Sequence, residues 1–104
     1  MEFCKQVEYI TKKIPKGKVA SYGQIASLIS TVRAARSVGW CLHGLDGKPG
    51  VPWHRVINSK GFITTTCEEH DKNMQKMLLE KDGVTVTDKE GLWWIDLKKF
   101  LWLP

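Results

Sequence analysis

The stretch "VPWHRVIN", residues 51 to 58, gathers the side chains most suited to chemistry. His54 can act as a base and Arg55 can anchor an anion. A base does covalent work only beside a nucleophile, and the residue in front of His54 is Trp53. Indole carbon and N–H accept no alkyl or acyl group at a useful rate at neutral pH. The sulfur nucleophiles lie elsewhere, as Cys4, Cys41 and Cys67. A thiol with no activating partner sits near pKa 8.5 and is mostly protonated, so none of the three is a nucleophile by composition alone. Being odd in number and far apart, they predict no disulfide framework and fit a reducing intracellular setting. Cys4 and Cys41 are expected to be plain buried groups. Cys41-x-His43 and Cys67-x-x-His70 offer four zinc ligands on paper. Side chains two apart on a helix diverge, so no metal and no cofactor is expected.

The elements that would carry these residues follow from periodicity and caps. Residues 2 to 14 place Phe3, Val7, Ile10 and Ile14 at helical spacing, with Pro15 and Gly17 as terminators. Ser21 and Gln24 form a capping-box pattern ahead of a short helix with Ile25, Ala26, Leu28 and Ile29 on its apolar face. After the break "STVR", a second helix is predicted from about Arg33 to Gly44. Two short helices around a turn read as a helix-turn-helix. The second carries Ala34, Ala35, Ser37 and Gly39, small residues that serve either tight helix packing or close approach to a groove. Residues 62 to 66, "FITTT", suggest a short extended strand. From Glu68 the pattern is helical, with Met74, Met77 and Leu78 expected inside and Gly83 as C-cap. "VTVTD" and "GLWWIDL" read as two further strands.

A chain of 104 residues with 42% hydrophobic content can build one modest core, so a single domain over 1–104 is expected. The net charge of +5 suits a polyanionic partner, or simply a solvated surface. No apolar run nears the ~20 residues of a membrane span, and no signal-peptide pattern opens the chain, so no membrane role is expected.

Taken in order, "GKVASYGQIA", "AARSVG", "VPWHRVINSKG", "LLEKDGV" and "DLKKFLWLP" resemble the C-terminal domain of the O6-alkylguanine-DNA alkyltransferases. The resemblance is closer still to the alkyltransferase-like proteins, in which the reactive cysteine of Pro-Cys-His-Arg is replaced, usually by tryptophan. It covers essentially the whole chain. It implies a mostly α fold with short β strands, a winged helix-turn-helix-like DNA-binding domain. It also implies recognition of O6-alkylguanine in double-stranded DNA from the minor groove, with the lesion flipped out but not repaired. Tyr22 then matches the residue that helps turn the nucleotide outward, and Arg36 the residue that fills the vacated stack. Ala34, Ala35, Ser37 and Gly39 match the groove-facing surface. Trp53, Tyr22, Val56, Leu42, Thr66 and Cys67 match lesion-pocket positions, and His54, Arg55 and Asp82 their support.

Asp82 stands where relatives usually carry glutamate, one methylene longer, and Leu45 where the transferases carry asparagine. Trp40 stands where a small or polar residue is usual, and either extends the DNA contact or packs inward. The resemblance further implies a monomer that passes its lesion to nucleotide excision repair proteins. Such a protein works in the cytoplasm, at the nucleoid, in a prokaryote, or in the nucleus of a eukaryote. Two other readings stay open: a true alkyltransferase using Cys67, and a helix-turn-helix regulator without base flipping.

Overall fold

The computed structural model describes residues 2–45, 48–63 and 72–104. Helix α1 (Phe3–Thr11) is followed by strand β1 (Ala20–Ser21), helix α2 (Tyr22–Ile29), a 3₁₀ turn (Val32–Ala34) and helix α3 (Ala35–Gly44). A second 3₁₀ turn (Trp53–Arg55) leads into strand β2 (Val56–Ile57). Helix α4 (Lys72–Lys81), the hairpin strands β3 (Thr87–Lys89) and β4 (Leu92–Trp94), and helix α5 (Leu97–Phe100) complete the order. The architecture is the expected one, mostly helical with short strands.

Local signals explain most boundaries. Ser21 accepts from the Gln24 amide at 2.9 Å, while the Gln24 side chain accepts from the Ser21 amide at 3.2 Å. This reciprocal capping box starts α2 at Tyr22. Gln24 also donates to the Trp102 carbonyl at 2.7 Å, tying the chain's last segment to the same helix end. At the end of α4, Gly83 adopts φ +93°, where a side chain would be strained, and the Val84 amide returns to the Leu79 carbonyl at 2.9 Å. Asn58 Oδ1 accepts from the amides of Lys60, Gly61 and Phe62, which makes "NSKG" a turn.

β1 and β2 pair in parallel, Ala20 opposite Val56 and Ser21 opposite Ile57. Adjacent strand residues point to opposite faces, and here that alternation separates two cores. Ala20 and Val56 face Val7, Ile25, Ala26, Val38, Cys41 and Leu42 from the three N-terminal helices, and Ile14 from the turn after α1. Val19 and Ile57 face Ile63, Leu79, Val84, Ile95 and Phe100 on the other side. The β3–β4 hairpin is antiparallel, and Phe62 bridges to Trp94 beside it, so the hairpin forms the wing. Of the expected strand at 62–66, Phe62 and Ile63 pair with β4, and the remainder lies outside the described residues.

Two expectations are corrected here. Cys4 and Cys41 are joined by a disulfide, with Cα atoms 5.2 Å apart across 37 residues of sequence. The spacing argument fails because α1 and α3 pack together, so distance along the chain says nothing of distance in space. The bridge also removes the support that unpaired thiols lent to a reducing setting, and it takes up Cys41, one of the four candidate zinc ligands. Cys67 and His70 lie outside the described residues. On α4, Met74 and Met77 face outward, 48% and 57% exposed, with Leu78 only partly buried. The buried stripe is Gln75 and Leu79, continued by Asp82 one turn on, because this helix packs on the Trp53–Arg55 turn and needs polar groups there.

Candidate functional site

Pro52 and the 3₁₀ turn set the local geometry. The Trp53 amide bonds to the Val51 carbonyl at 2.9 Å and the Arg55 amide to the Pro52 carbonyl at 3.0 Å. A 3₁₀ helix has three residues per turn, so its consecutive side chains fan out about 120° apart. Trp53, His54 and Arg55 therefore leave the backbone in different directions. Trp53 is half-buried, belongs to neither core, and meets the His54 ring edge-on, with centroids 6.3 Å apart.

His54 and Arg55 converge on one carboxylate. His54 Nε2 lies 2.8 Å from Asp82 Oδ2. Arg55 donates through Nε to the same oxygen at 2.8 Å and through Nη2 to Oδ1 at 3.3 Å, a two-pronged pairing. Its Nη1 donates to the Ile14 carbonyl at 2.9 Å. Burial pushes the His54 imidazole below its ordinary value, against the opposing pull of Asp82. For Asp82, burial alone would raise the carboxyl, but hydrogen bonds from Arg55 and His54 outweigh it and hold it low. At neutral pH the pair is thus a neutral imidazole on a carboxylate. Nε2 carries the proton given to Asp82, and Nδ1 keeps a lone pair.

Sequence reasoning missed Gln75. Its buried amide donates to the His54 carbonyl at 3.1 Å and the Val56 carbonyl at 3.0 Å. The signal was present, since Gln75, Leu79 and Asp82 share one helical face. His54 is consequently held through its backbone by α4 and through its ring by the residue that follows that helix.

The helix-turn-helix residues lie on the N-terminal core. Tyr22 opens α2 and packs against that core, as do Ala34 and Ala35. Arg36 and Ser37 are exposed on α3. Gly39 faces Tyr22, and a Cβ there would stand 3.9 Å from the tyrosine Cε1 in ordinary contact. Arg36, Gly39, Trp40 and His43 line a concavity of about 320 Å³. Trp40 does not pack inward; it is 71% exposed.

Two of the expected pocket positions have buried side chains. Val56 and Leu42 are 0% and 3% exposed, as members of the N-terminal core. Val56 points inward from β2, and Leu42 shares the inner face of α3 with Val38 and Cys41, so neither presents an accessible wall. Thr66 and Cys67 lie outside the described residues; of the expected pocket members that are described, Trp53 and Tyr22 are the partly exposed ones.

A small helix-turn-helix domain with a wing, a capped Tyr22 and an Arg36-bearing helix has the build of a duplex-DNA-binding module. Residues 2–84 match the family model for the DNA-binding domain of 6-O-methylguanine DNA methyltransferase. Alkyltransferase-like protein 1 of Schizosaccharomyces pombe is 36% identical over 99% of this chain and 96% of its own length. The DNA base-flipping protein of Vibrio parahaemolyticus is 38% identical over 99% of this chain and 98% of its own. The crystal structure of S. pombe Atl1 in complex with damaged DNA containing O6-carboxymethylguanine superposes with TM-score 0.90, covering 98% of this chain and 95% of that one, at 36% identity. The Mycobacterium tuberculosis OGT in complex with DNA matches 80% of this chain and 49% of its own, at 34% identity and TM-score 0.70. The chain belongs to the alkyltransferase-like family.

Proposed function

We propose that this chain is a non-enzymatic reader of O6-alkylguanine in duplex DNA. The observation that carries the reading is a complete His54–Asp82 pair standing beside an indole. The orienting carboxylate and the base are assembled at 2.8 Å, and the side chain immediately before them cannot take an alkyl group. By the resemblance, Trp53 stands where the transferases carry their reactive cysteine. What remains of such a site is shape and polarity, which serve to hold a base.

The steps follow from duplex physics. A modified base must leave the stack before a pocket can hold it. Tyr22 turns the nucleotide outward, and Arg36, flat and charged, takes the vacated place. The small residues Ala34, Ala35, Ser37 and Gly39 let α3 enter a minor groove only about 6 Å wide. Minor-groove readout is degenerate, so lesion preference comes from the pocket, with Trp53 as an apolar wall for the alkyl group. The protein acts as a monomer and passes its lesion to nucleotide excision repair. The similarity to an alkyltransferase-like protein and a DNA base-flipping protein, and the damaged DNA bound by Atl1, support this reading.

The test pairs two measurements. Binding is compared between an O6-methylguanine duplex and its undamaged counterpart, and the intact mass of the protein is taken after incubation. A clear lesion preference with unchanged mass is expected. A methyl gained by the protein would mean transfer. With Cys4 and Cys41 bonded to each other, the acceptor would be Cys67, the third cysteine of the sequence, and Cys67→Ser would abolish the gain. Equal affinity for both duplexes would favour a plain helix-turn-helix regulator.

A further inference from the structure

Arg36, Gly39, Trp40 and His43 sit at i, i+3, i+4 and i+7 of α3, the four neighbouring positions of one helical face. Three of them carry long side chains and the fourth carries none. The glycine leaves a notch, with the indole of Trp40 along one side and the arginine at the near end. The notch holds about 320 Å³ and its lining is mainly apolar. A tryptophan 71% exposed beside it has its apolar surface in water, which needs a reason on so small a domain.

The reason lies in what borders the notch. Arg36 is on the same stripe, one turn away, so whatever meets Arg36 runs directly past Trp40. Four residues of helix advance about 6 Å, close to two base steps of 3.4 Å. The walls of a minor groove are lined by deoxyribose rings, whose C–H faces are apolar while their phosphates are anionic. We propose that the Arg36–Gly39–Trp40–His43 notch is a subsite for one deoxyribose of the duplex, one to two steps from the flipped lesion. The sugar sits over Gly39, its apolar face lies against the Trp40 indole, and His43 faces the phosphate that follows. The contact is to backbone and carries no information about the lesion. It strengthens binding to any duplex.

This subsite rests on the reading that α3 enters the groove, but its test is separable. Trp40→Ala is compared with the unaltered protein on a lesion duplex and on an undamaged duplex of the same sequence, with Trp40→Phe as the conservative variant. Trp40 belongs to neither core, so thermal melting should be unchanged, and this is verified first. Trp40→Ala should lose about tenfold in affinity for both duplexes alike, in line with aromatic contacts to nucleic acid, and Trp40→Phe should recover most of it. Gly39→Val, which fills the notch, should lose at least as much. Unchanged affinity on both duplexes would overturn the subsite, and so would a loss confined to the lesion duplex. Self-association of the unaltered protein that Trp40→Ala abolishes would likewise overturn it, in favour of an interface between copies. If the unaltered protein binds both duplexes equally, the lesion reading fails while the equal losses at Trp40 still stand.

Discussion

Asp82 Oδ2 lies 2.8 Å from His54 Nε2 and 2.8 Å from Arg55 Nε, so one carboxylate oxygen serves both residues that follow Trp53. A side chain one methylene shorter than the usual glutamate therefore still reaches the imidazole. Asp82 is also shared, because the guanidinium draws on the charge that would otherwise raise the basicity of His54.

Trp53→Cys would place a thiol ahead of an assembled base. The variant is expected to acquire slow methyl transfer, seen as one methyl on the intact protein after long incubation with an O6-methylguanine duplex. Slow transfer is expected because His54 is held neutral mainly by burial and its carboxylate is divided with Arg55. If no methyl accumulates, the orientation of the pair is not enough to activate a sulfur at this position.

Protonation should loosen the same site. The folded-state pKa of His54 is depressed, so the unfolded chain binds its proton first as pH falls. The stability linked to His54 is complete above the ordinary imidazole value of 6.5 and is lost as pH drops through the lower folded value. Asp82 is depressed in the same sense, below 3.8, and its contribution disappears in a second, more acidic window. Melting temperatures taken from pH 7 downward should fall in two stages, and His54→Gln should remove the first. Parallel curves for the two proteins would contradict the assignment.

Gln75→Ala removes one buried and one partly buried hydrogen bond and leaves two carbonyls without those donors. A loss of roughly 2–4 kcal/mol in urea unfolding is expected. The binding of lesion DNA should weaken as well, since the same amide holds the backbone on both sides of Arg55. A change under 1 kcal/mol would show that water replaces the amide.

Arg36→Ala should weaken lesion binding by about tenfold or more, because the emptied stack is left unfilled. Trp53→Ala should instead lower the ratio of lesion to undamaged affinity while general binding changes little. Fluorescence titration of both variants with both duplexes separates these effects. If both residues affected only the ratio, Arg36 would belong to the pocket rather than the stack.

The Cys4–Cys41 bridge closes a long loop and should contribute about 4 kcal/mol. Urea unfolding with and without reductant measures this, and Cys4→Ser should reproduce the reduced curve. Identical midpoints would mean that packing between α1 and α3 suffices alone.

Much of the scaffold was legible because its signals are local. The Ser21–Gln24 box and the Gly83 stop each depend on a few adjacent residues, and each formed where expected. What escaped was most of what tertiary contact sets. Periodicity groups the residues of α4 into faces, yet only the neighbouring turn decides that Gln75 goes inside and Met74 and Met77 outside. Likewise Cys4 meets Cys41 only because two helices pack. The site divided along the same line. The His54–Asp82 pairing followed from motif and resemblance, while the burial of Val56 and Leu42 came from strand and helix faces that one sequence does not orient.

The two-residue pairing of β1 with β2 is too short to choose its own alignment. A slip of one residue would turn Ile57 toward the helical side, Val56 toward the wing, and shift the preceding turn by about 3.3 Å. Arg55, just before that pairing, and Gln75, bonded to the Val56 carbonyl within it, hold the chain and oppose the slip. The groups around the indole thus act as the strand's ratchet. Substitutions meant only to retune what the cavity admits will also test whether the domain can find its proper frame.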